Sequence, residues 1–304
     1  MNRTRKKPLY APRFESAAVD IIKSNERRRR DICDLSSADI TSFQERIYRH
    51  YRNKGRMLPW RETRDPYKIL VSELMLQQTQ VERVVAKYKM FLNVFPNFSA
   101  LARAPLKNVL DVWQGLGYNK RAIALKRIAQ TVDAESAGKL PSDYSALVGL
   151  PGVGPATACA ILTFAFDMPT VFIETNIRTV FIHTFYTEER GVEDDEIYPL
   201  VECTLDRSNP RMWYYALMDY GAMLKKQFKN PSRNSAQHKK QVPFEGSNRQ
   251  LRGKIISLIV AHPEITETDL KRRLHADPQL ISRNLQKLEA EGFVKRDQTK
   301  FVIV

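Results

Sequence analysis

Residues 150–157 read LPGVGPAT: two glycines flank one small apolar residue behind a proline, and a second proline follows. Pro155 suits the first turn of a helix, where its missing N–H would have had no partner anyway. Gly152 and Gly154 permit positive φ and the close approach of another backbone. Amides freed by such a turn, together with the start of the helix behind them, form a cradle for phosphate. A plain turn between two packed helices uses the same residue types, so the octapeptide alone leaves both readings open.

The surroundings of this turn are helical. From about Thr41 to Tyr220 apolar residues recur at helical spacing, Pro and Gly punctuate the segments, and strand-like alternation is almost absent. Helices are expected near 80–94, 97–103, 106–115, 119–134, 142–148, 155–166, 175–187, 194–207 and 210–224. An earlier one carries Ile47 and Tyr51, and another begins at Pro66. Residues 41–224 therefore form an all-α body. Residues 1–40 are polar and basic and read as a tail, disordered or only partly helical. Residues 225–246, KKQFKNPSRNSAQHKKQVPFEG, are a basic linker or an ordered loop.

Residues 247–304 form a separate small domain. A helix over Asn248–Ala261 precedes Thr266 and Asp269, a capping box. Asp277-Pro278 supplies the N-cap and first position of a third helix, which Gly292 ends. FVKRDQTKFVIV alternates and turns at Asp297–Thr299, a β-hairpin. Three helices and a terminal hairpin make a winged helix, a helix-turn-helix variant that binds DNA or serves protein contacts. On its third helix Arg283 and Lys287 are the candidate DNA contacts.

Charge narrows the partners. Lys and Arg exceed Asp and Glu by 15 in 304 residues, and the pI is near 9.7. Basic clusters stand at 3–7, at 27–30 and along Lys225–Lys240. Such an excess points to a polyanion, with nucleic acid ahead of membrane. No apolar run reaches the ~18 residues of a membrane span, and the basic start has no apolar stretch behind it. Cys33, Cys159 and Cys203 lack CxxC spacing, so reduced thiols in a cytoplasmic, nucleoid-associated protein are expected rather than a disulfide framework or a zinc site.

Two acids stand out in apolar company. Glu73 lies inside SELMLQQTQV (72–81), with Ile69 and Gln77 on its helix face. Desolvation there raises its pKa and holds it protonated near neutral pH. Glu174 is the lone acid of MPTVFIETNIRTVFIHTFYT (168–187). Thr175 or Asn176 caps the following helix, so Glu174 stands near its positive end and is expected ionised. Two carboxyls driven apart in pKa suit general-acid and charge-stabilising roles, the pair that cleavage of an N-glycosidic bond requires.

Taken in order, LPWRETRDPYKILVSELMLQQTQV (58–81), GLGYNKRA (115–122), LPGVGPATA (150–158) and MDYGAM (218–223) resemble the MutY-type adenine DNA glycosylases of the helix-hairpin-helix superfamily, over about residues 45–225. LPWRETRDPY and GYNKRA also look like the related thymine–guanine mismatch glycosylases. The resemblance implies a two-lobed helix-hairpin-helix DNA glycosylase fold, here followed by the winged helix. It implies that Glu73 protonates the leaving base and that Glu174, where the family carries Asp, stabilises the sugar cation. The extra methylene displaces that charge by about 1.5 Å, enough to cost on the order of a hundredfold in rate if uncorrected.

By the same resemblance Asn176 helps position water, Gln77 fills the space a base leaves, and Gln78 and Thr79 lie near the opposite base. Tyr118 stacks or wedges, and the hairpin Gly152-Val153-Gly154 with Ala156 faces DNA. Ala156 stands where lyase-active relatives carry a lysine nucleophile, so no β-lyase activity is expected. Lys225, Ser232, Ser235 and Gln241 occupy the four cysteine positions of the family's iron–sulfur cluster. No cofactor and no metal are therefore expected. The expected partner is double-stranded DNA with a mismatched or damaged base, bound by a monomer, with no membrane. The substrate expected first is adenine opposite guanine or 8-oxoguanine. The rivals are a thymine or uracil mismatch glycosylase and a non-catalytic winged-helix DNA-binding protein.

Overall fold

The computed structural model describes residues 35–187, 189–240 and 243–304. Helix α1 spans Ser37–Lys54, α2 Pro66–Leu76, α3 Val81–Val94, α4 Phe98–Arg103, α5 Leu106–Trp113, α6 Lys120–Ser136 and α7 Tyr144–Val148. Then follow α8 Pro155–Phe166, α9 Thr175–Phe185, α10 Asp194–Cys203 and α11 Pro210–Gln227. The expected all-α body is present, and its elements start and stop within a few residues of their caps and prolines.

Two apolar cores divide the body into lobes. One is built on α2–α8 around Trp113, Phe91, Leu74, Leu125 and Leu147. The other packs α1 against α9, α10 and α11 around Ile47, Phe181, Trp213, Tyr214 and Leu217. Helices α2 and α8 serve both: α2 gives Leu70 and Leu74 to one core and Ile69 to the other, and α8 gives Ile161 and Phe164 in the same way. A helix that is apolar all round has to be buried on all sides, and these two therefore form the seam between lobes. Glu73 is the one acid on α2.

The hairpin joins α7 to α8 through residues 149–154. Gly152 has φ +78°, and a Cβ there would lie 2.9 Å from the Cβ of Ala124 on α6. Gly154, by contrast, has φ −88° and caps α8, with nothing within 4 Å of an added Cβ. Both glycines permit positive φ, and it occurs only at Gly152. Across the seam, the buried Arg121 guanidinium donates to the carbonyls of Leu74 (2.9 Å), Met75 (2.8 Å) and Gln77 (2.5 Å) at the end of α2, and to Gly117 (2.8 Å). A cation at a helix C-terminus satisfies its unpaired carbonyls and its dipole.

Two helix boundaries differ from expectation in ways that local residues explain. Helix α1 begins at Ser37, inside the segment read as a tail, because Ser36 and Asp39 form a capping box; the rest of that tail, residues 1–34, lies outside the described residues. Helix α11 runs past 224 to Gln227, its last turn favoured by Lys225 and Lys226 at the negative end. The loop beyond is ordered on the body, since Val192 donates to Asn234 O and accepts from Ala236 N, both at 3.0 Å. Cys159 is a free thiol, whereas Cys203 is disulfide-bonded, so the expectation of reduced thiols fails there.

The C-terminal domain is a winged helix: α12 Asn248–Ala261, α13 Glu267–Leu274, α14 Pro278–Ala290, then β1 Val294–Asp297 paired antiparallel with β2 Lys300–Ile303. The Thr266–Asp269 capping box and the positive φ of Gly292 are as expected. This domain is not independent of the body. Leu251, Ile255, Ile256 and Ile259 of α12 belong to the same continuous apolar cluster as the α2–α8 lobe. Ser257 donates to Gln114 (3.0 Å), and Glu291 pairs with Lys120 of the body (3.1 Å) as well as with Arg252 (2.5 Å).

The two hairpin glycines should respond differently to substitution. Gly152→Ala combines a left-handed backbone with a contact to Ala124 and should cost on the order of 2 kcal/mol. Gly154→Ala should stay within about 0.5 kcal/mol of the parent. Urea unfolding of both variants checks this, and equal losses would contradict it.

Candidate active site

Glu73 reaches the seam from α2, and Glu174 reaches it from the other lobe as the N-cap of α9. Among the described residues neither carboxyl has a hydrogen bond or an ion pair. Both residues are partly buried, and two unpaired carboxyls in one seam mark a candidate functional site. Burial pushes Glu73 up to about 8, and the Glu174 carboxylate adds to the shift. Glu73 is therefore a neutral proton donor at pH 7, as its sequence setting implied.

Glu174 differs from expectation. It is itself the cap, with extended backbone, and its side chain bonds no amide of the helix. Burial holds its pKa above the ordinary carboxylate range, opposed by Lys225, Arg56, Arg178 and Arg61. The sequence placed it at a helix terminus; the structure also buries it in part, and desolvation outweighs the cations. Those cations are themselves fixed. Asp219 accepts from Arg56 N (2.7 Å) and Nε (2.6 Å) and from both terminal nitrogens of Arg61 (2.9 and 2.8 Å). Arg178 forms a two-pronged bond with Asp194, 2.6 Å on each arm.

Asn176 is the second residue of α9, and its Oδ1 accepts from Lys225 Nζ at 2.8 Å. The approach of α11 that allows this depends on Gly221, where a Cβ would meet Asn176 O at 2.2 Å. Lys225 is half-buried, and its pKa falls to about 8, desolvation prevailing over the attraction of Glu174. Sequence reading treated Lys225 only as a vacated cysteine position and missed this contact. Its helical spacing from Gly221 was the available signal.

Tyr215 was also missed. Its ring stacks on Phe164 at 4.7 Å, with Arg61 and Arg211 over it, while its buried hydroxyl has no partner. Burial and the neighbouring Glu73 both raise its pKa, opposed by Arg211 and Arg61. Tyr215 precedes Asp219 by four residues on α11, so it shares the face that carries the arginine clamp. WYY at 213–215 reads as core packing, and nothing in the sequence singles out the middle or last ring.

The other candidates group at one end of the seam. Gln77 follows Glu73 by one turn, and its amide donates to Gly152 O (3.1 Å) and Thr157 Oγ1 (3.2 Å), tying α2 to the hairpin. Gln78 and Tyr118 both have left-handed backbones, φ 55° and 49°. Thr79 closes the α2 turn on Leu76 O at 3.1 Å. Gly152, Gly154 and Ala156 are exposed at the hairpin, whereas Val153 turns its side chain into the core and its N–H to Leu150 O (3.2 Å). Arg283 and Lys287 are exposed on α14, away from the carboxyls.

At the former cysteine positions, Ser232 Oγ donates to Asn230 Oδ1 and Ser235 Oγ to Gln237 Oε1, both at 2.8 Å. Gln241 lies outside the described residues. A set of one amine and two committed hydroxyls does not fit an iron–sulfur cluster, which thiolates hold. Among the described residues no group of three or more His, Cys, Asp or Glu could hold a metal ion, and no helix is long and apolar enough to cross a membrane.

Residues 71–199 match the HhH-GPD superfamily of base excision DNA repair proteins, and residues 250–300 match the MarR family. The adenine DNA glycosylase of Buchnera aphidicola subsp. Baizongia pistaciae is 35% identical over 187 residues, 60% of this chain and 52% of the relative. The chain thus spans about half the length of the curated relatives it matches. The solved structure of a thermostable thymine-DNA glycosylase aligns with TM-score 0.55 at 26% identity, over 63% of this chain and 90% of that one. A non-covalent endonuclease III–DNA complex aligns with TM-score 0.54 at 17% identity, over 64% and 90%, a likeness of fold.

Burial of Glu73 makes a prediction about stability. The folded protein holds the Glu73 proton up to about pH 8, whereas the unfolded chain releases it near pH 4.5. Below the unfolded value this group costs nothing. As pH rises from there through the folded value, stability is lost, and the loss then levels off. Glu73→Gln should therefore raise stability by on the order of 3 kcal/mol at pH 7 and by almost nothing near pH 4.5. Melting curves of parent and variant across this range test it, and a gain independent of pH would refute the assignment.

Proposed function

We propose, from the premise that residues 71–199 belong to the HhH-GPD superfamily of base excision DNA repair proteins, that this chain is a monofunctional DNA glycosylase. It hydrolyses the N-glycosidic bond of a base turned out of a mismatch, adenine opposite guanine or 8-oxoguanine. The observation that carries the reading is the pair of unpaired carboxyls facing one seam, Glu73 neutral and Glu174 ringed by four cations.

The atoms balance as follows. Glu73 gives its proton to a ring nitrogen of the leaving base as the C1′–N bond breaks and its electrons pass to the base. The sugar left as an oxocarbenium ion is stabilised by the Glu174 carboxylate, and water adds at C1′ while its proton passes to that carboxylate. Glu174 has to be ionised for this, and Lys225, Arg56, Arg178 and Arg61 oppose the burial that would keep it neutral. Asn176, fixed by Lys225, orients the water. Ala156 offers no amine for a Schiff base, so the reaction stops at the abasic site. The chain works without an iron–sulfur cluster, its loop held by the Val192 and serine hydrogen bonds instead.

DNA binds as a duplex, because a base has to be flipped before these carboxyls can reach it. A second reading, excision of thymine or uracil opposite guanine, is favoured by the likeness to the thymine-DNA glycosylase. Duplexes carrying A:G, A:8-oxoguanine, T:G and U:G, treated with enzyme and then alkali, separate the two. Strand cleavage of adenine substrates only is expected, falling by two or more orders of magnitude in Glu73→Gln and Glu174→Ala. Cleavage of T:G alone would replace the first reading with the second, and intact strands throughout would leave a DNA-binding protein without catalysis.

The winged helix supplies sequence-independent phosphate contacts through Arg283 and Lys287. Deleting the domain would strip the apolar cover from the α2–α8 lobe, so point substitutions are the cleaner test. Arg283→Ala and Lys287→Ala should each lower the slope of log K against log salt by about one. An unchanged slope would assign that helix to protein contacts.

A further inference from the structure

Glu174 caps α9 with no hydrogen bond from the helix to its side chain. Three aspartates at the same position of other helices behave differently. Asp65, Asp143 and Asp277, which cap α2, α7 and α14, each accept from an amide of their own first turn at 2.9 Å. A carboxylate at a helix start ordinarily draws its stabilisation from those amides and from the dipole behind them. The longer Glu174 side chain forgoes the amides, so its charge has to be supported from elsewhere.

Four cations offer that support, and three of them are already matched by acids. Arg56 and Arg61 share Asp219, and Arg178 is paired with Asp194. Lys225 differs. Among the described residues its ammonium has no ion pair, and its hydrogen-bond acceptor is the neutral Asn176 Oδ1 at 2.8 Å. Burial brings its pKa down to about 8, and the attraction of Glu174 opposes that fall. In return, Lys225 is the strongest of the attractions that oppose the burial of Glu174. It stands one turn beyond Gly221, where α11 lies too close to the Asn176 carbonyl for a Cβ. The other charged groups facing the two are Arg178 from α9, Arg56 and Arg61 from the stretch between α1 and α2, and Glu73 from α2, with Asp219 of α11 bonded to the two arginines.

We propose that Lys225 is the positioning residue of Glu174: its ammonium takes the place of the helix amides that a shorter carboxyl at this cap would bond, and it holds the anion ready for the sugar cation. The need for an anion rests on the glycosylase reading; the pairing of the two side chains does not. An aspartate at this cap would regain the amides and need no such ammonium, so the lysine and the longer acid work as a matched pair. The same amine fixes Asn176, so one residue of α11 sets both the anion and the amide that orients water. At the first of the four vacated cysteine positions the chain thus carries a group that acts on the active site.

The test uses the full chain and two readouts. One is the titration of Glu174, followed by its carboxyl-carbon NMR resonance and assigned against Glu174→Gln. The other is single-turnover excision across pH on whichever mismatched duplex the parent cleaves. Lys225→Met removes both charge and hydrogen bond, Lys225→Gln keeps a donor for Asn176 without the charge, and Lys225→Arg keeps the charge. The Met and Gln variants should move the Glu174 titration and the acidic limb of excision upward by about one pH unit. On that limb the rate should fall about tenfold, and Lys225→Arg should recover most of the loss. Combined with Glu174→Asp, the Lys225→Met change should cost no more than about threefold, because amides then support the anion. A Lys225→Gln variant that behaves as the parent would reduce the lysine to a hydrogen-bond partner of Asn176 and overturn the proposal. So would an equal loss with and without Glu174→Asp. If no duplex is excised, the glycosylase reading falls and the resonance alone decides. An unmoved titration in Lys225→Met and Lys225→Gln, each shown folded by its melting curve, then overturns the pairing, and the stated shift upholds it.

Discussion

A Cβ at Gly221 would stand 2.2 Å from the carbonyl oxygen of Asn176, so α11 can reach the first turn of α9 only with a hydrogen at that position. Much of the site's electrostatics follows from this contact. Two residues before Gly221 on α11, Asp219 gathers Arg56 and Arg61. One turn after it, Lys225 reaches Asn176. All three cations oppose the desolvation of Glu174, and Arg178 joins them from α9 itself. A wider separation of the two helices would weaken each of these attractions at once while leaving the carboxyl buried. A carboxyl buried without such partners stays protonated, and the seam would then hold two acids and no anion.

The asymmetry between the carboxyls is thus one of degree in solvation and of kind in neighbours. Both are desolvated, and both are displaced upward. Only Glu174 has cations about it. Glu73 has instead an apolar helix and the charge of Glu174, both of which favour its neutral form. Like-charge coupling across the seam means that ionising Glu174 strengthens the hold of Glu73 on its proton. The pair therefore tends to share one proton, lodged on the side where general-acid chemistry needs it. The buried Tyr215 hydroxyl has no hydrogen-bond partner among the described residues and feels the charge of Glu73.

The helices, the hairpin, the winged helix and the Glu73 environment were legible because each is written in local pattern. Pro66, Pro155 and Pro278 open helices, Thr266 and Asp269 cap one, and Gly292 ends another. What was not legible depends on residues far apart in sequence. The charge state of Glu174 was inferred from its helix terminus, yet it is decided by burial and by cations drawn from positions 56, 61, 178 and 225. Lys225 was visible as a missing cysteine, and only its one-turn spacing from Gly221 hinted that its amine turns inward. Gly154 has the ordinary φ that its cap role requires, and only Gly152 is constrained by a neighbour, Ala124 on another helix.

The contact between the two domains was the other part that local reading left out. The composition break at 225–246 marks a change of fold, and it was natural to treat 247–304 as separable. Yet α12 turns the apolar residues Leu251, Ile255 and Ile259 toward a core that continues into the body, and its polar residues meet Gln114 and Tyr118. A helix whose apolar face is shared by two domains fixes their relative placement as firmly as a packed interior does. The Gln77–Thr79 rim, Tyr118 and Arg249 are consequently one surface rather than two. In a chain of this net charge, that surface is one on which a polyanion would meet both domains together.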